Sequence, residues 1–137
     1  MNIERELRDA LLSMSAVTTI VGTRVWCEWF RTDVLPAVVF EIDDETQQNA
    51  VSGKGSLILA DVNIICRANT RAKSRELAEA VRTNGTSPGT GLAGWYGDLF
   101  TAILESRTPA AIPKEEGSTD YWYDMNLGFS LHWNEEK

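Results

Sequence analysis

The sequence predicts a small α+β protein with one domain over residues 1–137. Apolar residues near the N-terminus recur at helical spacing, which predicts an amphipathic helix. Residues 37–43, 57–67 and 121–133 instead carry apolar side chains at every second position, which is typical of strands. The chain has no run of 18 or more apolar residues, so no membrane span is expected.

The N-terminal region predicts two helices and then a strand. Apolar residues of the first helix share one face: Ile3, Leu7, Ala10, Leu11 and Met14. A short second helix is expected over 15–21, ending at Gly22, which adopts positive φ without steric cost. A strand over 24–30 would carry largely apolar residues on both faces. Its second face is therefore expected to be covered, by a loop or by another subunit.

The central region predicts a long hairpin followed by a helix. Residues 44–56 are polar and rich in glycine, so they are interpreted as a flexible hairpin loop between strands 37–43 and 57–67. Thr70 is a suitable N-cap for a helix that runs to about Thr83. The glycine-rich residues 84–91 form a second flexible loop.

The C-terminal third contains one ambiguous stretch and one clear strand. Apolar residues over 92–104 follow helical spacing, so a helix is predicted, although two glycines within the stretch leave a strand as the alternative. Residues 107–113 are flanked by proline and predict a short edge strand. Over 121–133 one face is entirely apolar and the other mostly polar, which predicts an antiparallel strand with one solvated face.

Charge and cysteine content argue against several classes of protein. The net charge is −7 and the basic residues are scattered, so a general nucleic-acid-binding protein is not expected. An acidic wall would instead repel DNA that slides past it, which is a hypothesis at this point. The charged N-terminus lacks the apolar core of a signal peptide, which predicts synthesis in the cytoplasm. Cys27 and Cys66 are then expected to be reduced and buried.

No catalytic, metal-binding or cofactor-binding residues are predicted. His132 is the only histidine, and Asp124, on the same strand face, is too far along the strand to orient it. The acidic residues around Asp43 lack the spacing of a calcium loop. The glycine-rich sequence around Lys54 lacks the glycine and hydroxyl residue that a phosphate-binding loop requires.

The five tryptophans are the remaining anomaly. Trp29 and Trp133 fall on apolar strand faces and are predicted to lie in the core. Trp26 and Trp122 fall on more polar faces, where an exposed tryptophan often anchors an interface. Partial burial is the equally weighted alternative for these two residues. Trp95, together with Tyr96, is left open between core and surface.

The order of these segments resembles the tail-completion, or tail-terminator, proteins of long-tailed bacteriophages. The similarity is best from Leu7 to Ala80 and rests on layout. Four features carry it: the step Ile20-Val21-Gly22-Thr23-Arg24-Val25, a Leu-Pro before a Val-Val-Phe strand, the strand around Val62-Asn63-Ile64, and the alanine-rich helix 72–81. The resemblance implies an antiparallel or mixed sheet of about four to five strands with two or three helices packed on one face.

The resemblance also implies a function. Proteins of this family are not enzymes; they form rings, typically hexamers, that cap the tail tube in the virion neck. The expected partners are copies of this chain, the tail tube protein and the head-tail connector or stopper protein, with DNA only as passing cargo and no membrane. The residues proposed for such interfaces are Trp26, Phe30, Gln47, Gln48, Lys54, Trp95, Tyr96 and Trp122.

Three alternatives to this function stay open from the sequence. The first is a head-closure or adaptor protein in the same neck. The second is a small enzyme that works through Asp124 and His132, and the third is a monomeric binding module.

Overall fold

Five strands form one mixed sheet, and three helices pack against one of its faces. The computed structural model describes residues 2–31, 34–49, 56–85, 91–93 and 100–134. Within these residues the elements are, in chain order, α1 (Ile3–Ser13), α2 (Ser15–Val21), β1 (Val25–Cys27), β2 (Ala37–Asn49), β3 (Ser56–Ala68), α3 (Arg71–Thr83), β4 (Phe100–Pro113) and β5 (Tyr121–Asn134). This architecture confirms the predicted α+β class.

The strand order is β1-β2-β3-β5-β4, so β1 and β4 form the two edges. β1 runs parallel to β2, and every other neighbouring pair is antiparallel. β3 is the central strand, and it pairs with β5 from Leu57 opposite Asn134 to Ala68 opposite Tyr123. The two longest ladders, β3–β5 and β4–β5, share β5. The position of β5 therefore determines how β3 and β4 align with each other.

The core lies between the helices and one sheet face. Alternate residues of β3 are buried on that face, because successive side chains of a strand point to opposite sides. They pack with apolar residues of the helices and of β5; the largest fully buried members include Leu7, Leu11, Phe40, Ile64, Leu77, Leu127, Phe129 and Leu131. Trp133, predicted to be a core residue, is buried here at 7% exposure.

Side-chain caps fix the ends of the helices. The Asn2 side chain accepts a hydrogen bond from the Arg5 N–H, and the Thr70 hydroxyl accepts one from the Lys73 N–H. Asn84 ends α3 in the left-handed conformation, and its side-chain oxygen accepts from the Ala16 N–H of α2. One residue thus both ends α3 and ties α2 to it. In the described part of the chain, no helix is long and apolar enough to cross a membrane.

The structure corrects the lengths of two predicted strands. β1 ends at Cys27, because Glu28 has a φ of 77° and turns the chain away from β2. β2 continues to Asn49, so residues 44–49 form strand rather than the predicted loop. A register shift between Asp43 and Thr46 accommodates the extra residue at Asp44, whose φ is 50°. Residues 50–55 of the predicted loop lie outside the described residues.

The helix predicted over 92–104 is wrong where the structure describes it. Residues 100–104 belong to β4, and Phe100 lies opposite Trp133 of β5. Phe100 and Ala102 are buried, whereas Ile103 on the other face is exposed. Apolar residues on both faces conceal the two-residue period of a strand, and pairing with β5 determines the structure. The predicted edge strand 107–113 is the outer half of the same β4.

The pH dependence of the free energy of unfolding tests whether the Cys66 thiol is buried. Burial raises the pKa of the Cys66 thiol far above its usual range, and the Asp124 carboxylate raises it further. In the unfolded chain the thiol ionises near ~8.5, so above that pH the unfolded state holds fewer protons than the folded state. The free energy of unfolding should therefore fall as pH rises above about 8.5, by up to ~1.4 kcal/mol per pH unit.

The measurement is urea unfolding between pH 7.5 and 9.5 with the wild type and Cys66→Ala. The variant should be less stable at neutral pH but should lose this part of the pH dependence. Cys27→Ala is the matched control and should keep the contribution from Cys66. An equal slope in wild type and Cys66→Ala would contradict the burial of the thiol.

Candidate functional site

The sheet face opposite the helices, which we call the open face, is covered by no helix in the described residues. Strand register places Trp26, Val39, Ile65 and Asn126 in one row across it. Val39 is only 1% exposed although it points away from the helices. Part of the open face is therefore buried by the chain segment that follows β1.

An ion pair joins β3 and β5 on the open face, near one end of their ladder. The Arg67 Nε lies 2.8 Å from one carboxylate oxygen of Asp124, and its Nη2 lies 3.0 Å from the other. The Asp124 side chain is 5% exposed and that of Arg67 is 17% exposed. Two parallel N–H···O bonds satisfy the buried carboxylate and fix the plane of the guanidinium. Arg71 of α3 adds a hydrogen bond to the Asp124 carbonyl at 3.2 Å.

Two aromatic rings pack on the same guanidinium. The Arg67 Cζ lies 4.3 Å from the centroid of Phe30 and 4.6 Å from that of Trp122. Such contacts combine cation–π attraction with apolar packing. Phe30 follows β1, and Trp122 is the second residue of β5. Arg67 of β3 therefore connects the segment after β1 with β5. The ring of Tyr123 lies 5.1 Å from the Arg71 Cζ in a similar contact.

These contacts enclose a groove of about 670 Å³, which we call the aromatic groove. Its apolar lining consists of Trp29, Phe30, Leu35, Val39, Ile65 and Trp122. Glu28, Arg31 and Glu41 add charged groups of both signs to the lining. Trp29 is 61% exposed, so the groove carries a large aromatic side chain in contact with solvent. An apolar groove with a few charged groups is typical of a surface that binds another chain.

The structure brings together only some of the residues predicted as interface. Phe30 and Trp122 meet on Arg67, and Trp26 lies half-buried on β1 beside Val39. Gln47 is exposed near the outer end of β2, and the Gln48 backbone pairs opposite Leu57. Three other predicted residues, Lys54, Trp95 and Tyr96, lie outside the described residues.

Sequence reasoning missed two features of this site. Trp29 was expected in the core, but the turn at Glu28 ends β1 and places Trp29 on the surface. The Arg67–Asp124 pair was also missed, because it depends on the register between β3 and β5. The available signal was two opposite charges on the polar faces of adjacent strands.

The alternative function as an enzyme would require Asp124 and His132 to act together. In the structure, each of these side chains contacts a different partner. Arg67 occupies the Asp124 carboxylate, while the His132 Nε2 lies 3.0 Å from the Ser130 Oγ. The two side chains thus do not form an acid–base pair. Within the described ranges, no group of three or more His, Cys, Asp or Glu side chains is placed to hold a metal ion.

Comparison with known proteins identifies a family and a solved structure of similar fold. Residues 5–84, more than half of the chain, match the family described as "Tail completion protein gp17". No curated protein matches the chain. A chain from the structure "Virion of native gene transfer agent (GTA) particle" is similar, with a TM-score of 0.59 and 16% identity over 98% of this chain and 99% of that one. At this identity, the structural match shows a shared fold.

The ion pair predicts a strong coupling between Arg67 and Asp124. Asp124→Ala leaves a largely buried guanidinium without its partner, which should lower the free energy of unfolding by about 3 kcal/mol. Arg67→Met leaves the Asp124 carboxylate without its partner and should lower the free energy of unfolding by a similar amount. The double variant should lose clearly less than the sum, with a coupling energy of ~1–3 kcal/mol in urea unfolding.

The control is Glu76→Ala, which removes the exposed ion pair between Lys73 and Glu76. Its effect should stay within about 0.5 kcal/mol, since exposed pairs contribute little. Additive losses in the Arg67 and Asp124 variants would show that the pair is not a stabilising unit.

Proposed function

The chain belongs to the tail completion protein gp17 family, and on that premise we propose that it forms a ring of six copies on the end of a phage tail tube. The ring would join the tube to the head-side connector in the virion neck. Its role would be structural, without catalysis or a cofactor, and DNA would only pass through it. The observation that carries the proposal is the family match over residues 5–84.

The aromatic groove supports a role in assembly. Large aromatic side chains in a partly desolvated groove are common anchors of protein interfaces. Trp29 is the most exposed of the large apolar residues that line it, and Trp122 and Phe30 are held in place by Arg67. A preorganised anchor binds with a smaller loss of side-chain entropy. We therefore assign the interface residues Trp26, Phe30 and Trp122 to contacts of the open face, together with Trp29.

The hairpin formed by β2 and β3 supports a second contact. Its strands pair as far as Asn49 opposite Ser56, so the ladder extends to the two residues that flank positions 50–55, which we call the hairpin tip. We assign Gln47, Gln48 and Lys54 to contacts of this tip with a neighbouring subunit or the tube. Trp95 and Tyr96 remain proposed interface residues on the strength of their chemistry alone.

Shortening the hairpin tip tests the assembly role. Residues 50–55 are replaced with Asn-Gly, which closes a two-residue hairpin directly on the Asn49–Ser56 pair. The variant should keep the circular dichroism spectrum and melting temperature of the wild type. It should fail to sediment with purified tail tubes. Sedimentation with tubes at the wild-type level would contradict the role of the tip.

The exposed aromatic anchor gives a second test. Trp29→Ser should change the free energy of unfolding by less than about 0.5 kcal/mol, because the side chain is largely in solvent. It should weaken self-association or tube binding by about 2 kcal/mol, roughly 30-fold, as measured by sedimentation. Trp29→Phe should retain most of the binding. The matched control is Ile103→Ser on the β4 edge, and equal losses in both variants would refute a specific anchor.

A further inference from the structure

Among the described residues, no strand pairs with the outer side of β2 beyond Phe40. The last backbone hydrogen bond from the β1 side runs from the Glu28 N–H to the Phe40 carbonyl at 2.9 Å. β2 then continues to Asn49 with only β3 beside it in the described residues. The two-residue period places the Ile42 N–H on the same outer side as the Phe40 carbonyl. The outward backbone N–H of Ile42 is therefore available to another strand.

Carboxylates dominate the same edge. Glu41, Asp43, Asp44 and Glu45 follow each other along β2, and Asp61 of β3 lies directly opposite Asp43. None of the ion pairs found among the described residues includes any of these five groups. Like charges that face each other across a ladder are destabilising. Positive charge supplied by a partner would relieve that repulsion.

Apolar surface lies beside the carboxylates. Thr46 pairs opposite Leu59, and both side chains lie on the open face beyond Asp43. Leu57 on the same face is 41% exposed. An added strand would thus lie beside carboxylates at one end of the edge and beside Thr46 at the other, with the apolar residues of β3 one strand further in.

A second copy of this chain fits the edge poorly. The other long edge strand is β4, whose outer half contains Pro109 and Pro113, and proline cannot donate to a ladder. Its only basic residue, Arg107, already lies 3.3 Å from Glu79 of α3. A copy of β2 itself would bring carboxylates against carboxylates. The charge of the edge therefore favours a different, basic chain.

We propose that the β2 edge from Glu41 to Glu45 binds an extended segment of another protein by strand addition. The segment carries lysine or arginine at alternate positions, so that the two cationic side chains face Glu41 and Asp43 on the open face. Main-chain hydrogen bonds to this edge supply affinity, and the carboxylates favour a segment with positive charge. The bulge at Asp44 and the negative charge also keep copies of the edge from pairing with each other. This binding mode does not depend on ring formation.

The test uses the isotope-labelled full chain and synthetic ten-residue peptides. One peptide alternates lysine with threonine, and a second replaces each lysine with glutamate. A third keeps the lysines but has proline at the alternate positions, so that it cannot form a ladder. Chemical shifts report binding, and amide hydrogen exchange at Ile42 reports the new backbone bond.

The lysine–threonine peptide should bind and slow exchange at Ile42 at least tenfold, while the glutamate peptide should not bind. Glu41→Gln with Asp43→Asn should weaken binding at least tenfold. The matched control, Glu115→Gln with Glu116→Gln on the distant β4–β5 turn, should leave it unchanged. Equal binding of the proline peptide would indicate simple charge attraction and overturn strand addition, as would unchanged exchange at Ile42. Self-association through this edge in the absence of peptide would overturn the choice of a basic partner.

Discussion

The ion pair between Arg67 and Asp124 holds three parts of the chain in one arrangement on the open face. A carboxylate that is 5% exposed would be costly without a partner, and the fork of the guanidinium satisfies both of its oxygens. The pair joins the central strand, β3, to its neighbour β5. Through the rings of Phe30 and Trp122 it also positions the segment after β1. The aromatic groove exists because this one polar contact is complete.

The helices pack on only one face of the sheet, which leaves the open face as a surface for contacts. The helices bury one face of the sheet, and only the segment after β1 partly covers the other in the described residues. A monomeric protein would normally fill such a face with polar residues. Here the face combines an aromatic groove with an acidic strand edge, which are two chemically different surfaces. Under the proposed assembly role, both surfaces would contact neighbouring chains.

Much of the fold could be predicted from local signals. The Thr70 cap and the alternation of residues 121–133 correctly predict α3 and β5, because both signals lie within the element itself. The strand at 100–104 could not be predicted, since its apolar residues fit a helix equally well and pairing with β5 decides between them. The exposure of Trp29 depends on the single positive φ at Glu28. The Arg67–Asp124 pair depends on strand register, which no local pattern encodes.

The central claim is that the chain works as an assembly component, and its solution mass tests this most directly. Light scattering should be measured over a range of protein and salt concentrations, with and without purified tail tubes. The account predicts either a hexamer of the free chain or a monomer that becomes a ring when tubes are added. A strict monomer under all conditions, with no association with tubes, would contradict it.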